Sequence, residues 1–147
     1  METSPTAVKK VLVVEASELI LRWVIPVIEK LGCHVTKACD LKAALNVIQQ
    51  SQPLDLILLG DISRPTNIES EIPAAEMELL QQVRRNPKYR RTAVVVFTNL
   101  DWIDEAKRAG ASNWIVKPCG ADDLETVILP YLSSAAAENK KERHSSP

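Results

Sequence analysis

Five short apolar runs punctuate the chain, at residues 11–14, 35–38, 56–59, 93–97 and 114–116. They are rich in Val, Ile and Leu and too short for helices, so they predict strands. Between them, apolar positions recur every three or four residues in 17–31, 41–50, 75–85, 102–109 and 122–132, which predicts five amphipathic helices. Ser17 stands where an N-cap belongs, and Gly32 and Gly110 stand where helices stop. Pro26 and Pro130 fall inside the first and last helical patterns. An interior proline costs about 3 kcal/mol, so those two helices are expected to be kinked or shortened.

The first, third and fourth strands are apolar at every position, which requires helices over both faces of a parallel sheet. The second alternates through His34, Val35, Thr36, Lys37 and Ala38, as suits an edge. With right-handed crossovers, five βα units predict a doubly wound α/β fold of strand order 2-1-3-4-5. Any site then lies at the C-terminal ends of the strands.

Composition narrows the choices. The chain has 147 residues, 46% hydrophobic and 25% charged, which fits one domain at residues 9–132. The ends, 1–8 and 133–147, are polar and predict disorder. Eighteen basic against nineteen acidic residues give a net charge of −1, so there is no basic field for nucleic acid or an anionic membrane. The longest apolar runs fall far short of the ~20 residues of a spanning helix. Residues 1–10 lack a secretory core, and Cys33, Cys39 and Cys119 have no metal-ligand spacing, so a cytoplasmic protein with reduced thiols is expected.

The strand ends carry Glu15 after the first, Gly60 and Asp61 after the third, Thr98 and Asn99 after the fourth, and Lys117-Pro118 after the fifth. Two carboxylates, a hydroxyl and an ammonium brought together can bind a phosphoryl group and a hard cation. A dinucleotide site needs a Gly-rich turn, but Val14-Glu15-Ala16-Ser17 has no glycine. No Gly-x-Ser-x-Gly hydrolase elbow occurs either.

The set resembles the receiver domain of bacterial response regulators, a flavodoxin-like (βα)5 fold and the phosphoacceptor of two-component signalling. The residues that carry the likeness are Val11-Leu12-Val13-Val14-Glu15, Asp55 leading to Asp61 with Pro65 four residues on, Glu78-Leu79-Leu80, Val83-Arg84, Val94 to Thr98, Ala109-Gly110 and Val116-Lys117-Pro118. The resemblance implies a non-enzymatic, single-domain response regulator. Asp61 would be the phosphoacceptor, with Thr98 and Lys117 contacting the phosphoryl oxygens. Glu15, Asp61 and the Ser63 backbone would hold Mg²⁺. It also implies a histidine kinase or phosphotransfer protein as donor, and a downstream partner on the fourth-helix, fifth-strand and fifth-helix face, where Trp102 and Trp114 lie. A second copy of the chain is a further candidate partner.

Four departures qualify this. The family's second acid after the first strand is Ala16 here, so Mg²⁺ binding is expected to be weak. Counting from Asp55 puts Gly60 at the acceptor position, whereas counting back from Pro65 puts Asp61 there; a bulge at Gly60 would reconcile them. Residues 66–77, with Glu69, Glu71 and Glu76, lengthen the loop after the third strand, and the fourth helix is short. The alternative is a degenerate receiver that binds a partner without phosphorylation, in which Asp61 and Lys117 are a structural ion pair.

Overall fold

The computed structural model describes residues 8–62, 73–99 and 101–133. In chain order these form β1 (Lys10–Val14), α1 (Glu18–Lys30), β2 (His34–Ala38), α2 (Leu41–Gln49), β3 (Leu56–Leu59), α3 (Ala74–Arg85), a 3₁₀ turn at Pro87–Tyr89, β4 (Ala93–Thr98), α4 (Ile103–Arg108), β5 (Asn113–Val116) and α5 (Ala121–Leu132). The sheet is wholly parallel, in the order β2-β1-β3-β4-β5. The expected disorder of the two ends falls, apart from Val8 and Ser133, outside the described residues, as do Ser63, Pro65, Glu69 and Glu71.

Alternation along the strands separates two cores. Leu12, Val14, Ile57, Leu59, Val94 and Val96 face α2, α3 and α4. Val11, Val13, Leu56, Leu58, Val95 and Phe97 face α1 and α5. Each such side chain contributes about 1.5–3 kcal/mol on burial, which is why the central strands are apolar except at two end positions, Lys10 and Thr98. The edges differ: β2 is half exposed, and β5 buries fully only Ile115.

Local signals set most helix ends. The Ser17 side chain accepts the Ile20 N–H at 3.3 Å, and Asp40 does the same for Ala43 at 2.8 Å. Gly32 and Gly110 adopt left-handed φ of +88° and +107°, just past α1 and α4.

The prolines do not shorten their helices as expected, because α1 and α5 run unbroken through Pro26 and Pro130. The carbonyls that lose their intrahelical donors belong to Arg22 and Thr126, both exposed, so water can serve them. The fourth helix is short, as expected, at six residues.

Candidate functional site

The site begins where β1 and β3 leave the ladder. Val14 is paired with Leu59, and the Gly60 N–H donates to Val14 O at 2.7 Å. A continuing parallel ladder would send the Ala16 N–H to Gly60 O. It goes instead to Asp61 O at 3.2 Å, so the β3 side holds one extra residue at this step. A Cβ on Gly60 would collide with Glu15 Oε1 and lie 2.8 Å from Val14 O. Position 60 therefore takes only glycine while Glu15 keeps its place, and the next side chain, Asp61, enters the cleft.

Four groups converge there. Thr98, the last residue of β4, donates its hydroxyl to Asp61 Oδ1 at 2.5 Å. The Asn99 N–H donates to Asp61 Oδ2 at 3.2 Å. Lys117 Nζ lies 2.8 Å from Glu15 Oε1 and 3.2 Å from Asp61 Oδ2, and so joins the two carboxylates. Glu15 Oε2 accepts the Ser17 N–H at 3.0 Å, which ties the start of α1 to the cleft. The Lys117 ammonium also stands 4.7 Å from the centre of the Phe97 ring, and Trp23 meets that ring edge-on at 6.0 Å. Of the three charged side chains Asp61 is the most open, 21% exposed against 9% for Lys117 and 3% for Glu15.

This geometry has a chemical sense. Two carboxylates and one ammonium leave one negative charge in excess, and a hydroxyl, an amide N–H and an ammonium all point at the open carboxylate. Donors so placed can bind the oxygens of a phosphoryl group that arrives on Asp61. The chain matches the family model of the response regulator receiver domain over residues 11–129. It belongs to the receiver family. Receivers are signalling modules of two-component systems that interact with histidine kinases or phosphotransfer proteins.

Among solved structures, the chemotaxis response regulator CheY4 of Vibrio cholerae is 25% identical, with a TM-score of 0.69 over 86% of this chain and 100% of that one. A CheY-like receiver protein of Methanospirillum hungatei JF-1 is 22% identical, with a TM-score of 0.69 over 92% and 99%. The receiver domain of the Pseudomonas aeruginosa PAO1 sensor histidine kinase PA1611, which holds a magnesium ion in its active site cleft, is 19% identical, with a TM-score of 0.66 over 87% and 100%. The last two show the fold alone. The comparison with curated proteins gave no match.

Acidic side chains are few at the cleft. Glu15 and Asp61 are the only acids at the cleft among the described residues, and both are already bonded to Lys117. Ala16 offers no oxygen from its side chain, and no cluster of three or more His, Cys, Asp or Glu able to hold a metal occurs among the described residues. Hard divalent cations need several oxygen ligands, so these residues do not make a complete site.

The two tryptophans part company. Trp102, expected on the interaction face, is fully buried in the core beneath α4, so it cannot touch a partner there. A six-residue helix shields little sheet, and the indole fills the space. Its Nε1–H is buried and has no hydrogen-bond partner among the described residues. Trp114 is half-buried on β5, with Lys107 Nζ 5.0 Å from its ring centre.

The sequence assigned no contact to two residues, Arg84 at the far end of the sheet from the cleft and Glu76 beside Ile62. Arg84, at the end of α3, donates to Gly110 O (2.9 Å), Thr92 O (2.8 Å), Tyr89 O (3.1 Å) and Ser112 Oγ (3.3 Å), and so fastens α3 to the approaches of β4 and β5. Burial lowers its guanidinium from the usual range. Glu76, in the first turn of α3, is wholly buried. Nearby, burial pushes the Cys119 thiol up; Asp123 adds to this and Lys117 opposes it.

Proposed function

We propose that this receiver accepts a phosphoryl group on Asp61 from the phosphohistidine of a kinase or phosphotransfer protein. A carboxylate oxygen of Asp61 attacks phosphorus, an O–P bond forms, the P–N bond breaks, and the imidazole leaves with the electron pair. Thr98, the Asn99 N–H and Lys117 take up the phosphoryl oxygens. The observation that carries this reading is the convergence of those three donors on the Asp61 carboxylate. Mg²⁺, which receivers typically use, would neutralise phosphoryl charge. With Glu15 and Asp61 as its acids it binds weakly, in competition with Lys117.

The test is intact mass after incubation with a small phosphodonor, with and without Mg²⁺. Addition of one phosphoryl group to the wild type and none to Asp61→Asn supports the reading. No adduct at any Mg²⁺ concentration overturns it.

One observation favours a second reading, an interaction module independent of phosphorylation. Thr98 and Lys117 already hold Asp61 in the unmodified chain, so the cleft has the inward contacts that a phosphoryl group would otherwise draw. The binding surface would be the α4–β5–α5 face, where Val116 of β5 and Leu129 of α5 are exposed. In this case, beryllofluoride leaves the amide NMR shifts of β5 and α5 unchanged; shifts across that face would restore the phosphorylation switch.

A further inference from the structure

The extra residue at the end of β3 creates a problem that α3 solves. Gly60 donates its N–H to β1, and one residue later Asp61 turns its carbonyl the same way, to the Ala16 N–H. The Ile62 N–H then falls beyond the last β3–β4 pair, Leu59 with Val96, so no strand is there to receive it. Ile62 is itself buried, with its side chain in the α2–α3–α4 core. A buried amide hydrogen left unpaired is costly, and a short strand end cannot turn it to water without moving Asp61.

Glu76 Oε2 accepts that hydrogen at 2.7 Å. The glutamate is fully buried, which is rare for a carboxylate, and stands in the third position of α3 after Pro73. The peptide unit that follows the Asp61 Cα is thus held through both of its polar groups, its carbonyl to Ala16 on β1 and its N–H to Glu76 on α3. From a backbone fixed at that unit, the Asp61 side chain reaches Thr98 and Lys117.

We infer that Glu76 is the positioning residue for Asp61, its carboxylate replacing the strand partner that the one-residue insertion removed. The inference rests on the reading of Asp61 as acceptor, and it predicts a dependence on acceptor geometry and reach rather than on charge. Gln keeps an oxygen at the same distance, Asp is one methylene short, and Met has no oxygen.

The experiment uses the full chain with Glu76→Gln, Glu76→Asp and Glu76→Met. It reads the rate of phosphoryl uptake from a small phosphodonor, the Asp61 carboxyl ¹³C shift and its titration, and the urea midpoint. Glu76→Gln is expected to keep the wild-type rate and Asp61 shift. Glu76→Asp is expected to stay folded yet lose roughly 100-fold in rate, the penalty typical of an ångström-scale misplacement, with the Asp61 shift displaced. Glu76→Met should do the same where it folds, and where it does not, the comparison of Gln with Asp decides. A folded Asp or Met variant with the wild-type rate and shift overturns the inference, and so does a Gln variant as impaired as Asp. If the wild type itself takes up no phosphoryl group, the acceptor reading fails while the positioning role is still decided by the Asp61 shift.

Discussion

Lys117 and Glu15, 102 residues apart in the chain, form a 2.8 Å ion pair in which both side chains are almost fully buried. Removing one partner of such a pair leaves the other charged and dry. Lys117→Met is therefore expected to cost about 3–5 kcal/mol. Lys117→Met with Glu15→Gln should recover most of that loss in urea unfolding. If the single variant is as stable as the wild type, Lys117 is not what holds Glu15 in the cleft.

Restoring the missing acid should restore the cation. Ala16→Asp adds a third carboxylate at the mouth of the cleft, and calorimetric Mg²⁺ affinity is expected to rise by roughly tenfold or more. Equal affinities would show that the absent carboxylate is immaterial.

Gly60→Ala tests the one-residue shift itself. The new methyl collides with Glu15 Oε1 and crowds Val14 O, and overpacking of this kind costs about 1–3 kcal/mol. Glu15→Ala opens part of that space, so Gly60→Ala should lower the urea midpoint less in a Glu15→Ala background than in the wild type. An unperturbed Gly60→Ala would mean that the strand end can relax without moving Glu15.

Arg84→Lys should not behave as a conservative change. One ammonium cannot span Gly110 O, Thr92 O and Ser112 Oγ, so buried carbonyls lose their donors. A loss of about 2 kcal/mol or more in urea unfolding is expected. Wild-type stability would place the fastening elsewhere.

The thiols should separate by reactivity. Cys33 and Cys119 have raised pKa values, burial being the largest cause in each, so less of the nucleophilic thiolate exists at neutral pH and alkylation slows. Exposed Cys39 should be modified first by iodoacetamide, as peptide mass mapping will read, with the other two gaining on it as pH rises. Equal labelling at pH 7 would contradict the burial of Cys33 and Cys119.

The strands and their order were legible because the continuous apolar runs in β1, β3 and β4 admit only a sheet covered on both faces. The grouping of Glu15, Asp61, Thr98 and Lys117 was legible for the same reason: strand ends in a parallel sheet converge whatever the loops do. Side chains whose direction is set by tertiary packing were not. Glu76 reads as one more acid in a polar loop, and nothing local says that its carboxylate turns inward to an amide fourteen residues earlier. Trp102 reads as surface on a short helix, yet the space left by that shortness draws it into the core. The prolines misled because the cost of a lost helical bond depends on whether the freed carbonyl meets water, and solvent exposure is not written in a heptad of sequence.

The edge-on contact of Trp23 with Phe97, the ring that Lys117 lies over, gives the chain an optical readout of its own. Of the three tryptophans, Trp23 is linked to the ammonium through one aromatic ring, Trp114 lies under Lys107 on the edge strand, and Trp102 is sealed from solvent. Single-tryptophan variants would divide the emission into a channel for events in the cleft, a channel for events at the edge strand, and an internal reference. Ligand titrations could then be followed in unlabelled protein, with the origin of each spectral change assigned by which indole remains.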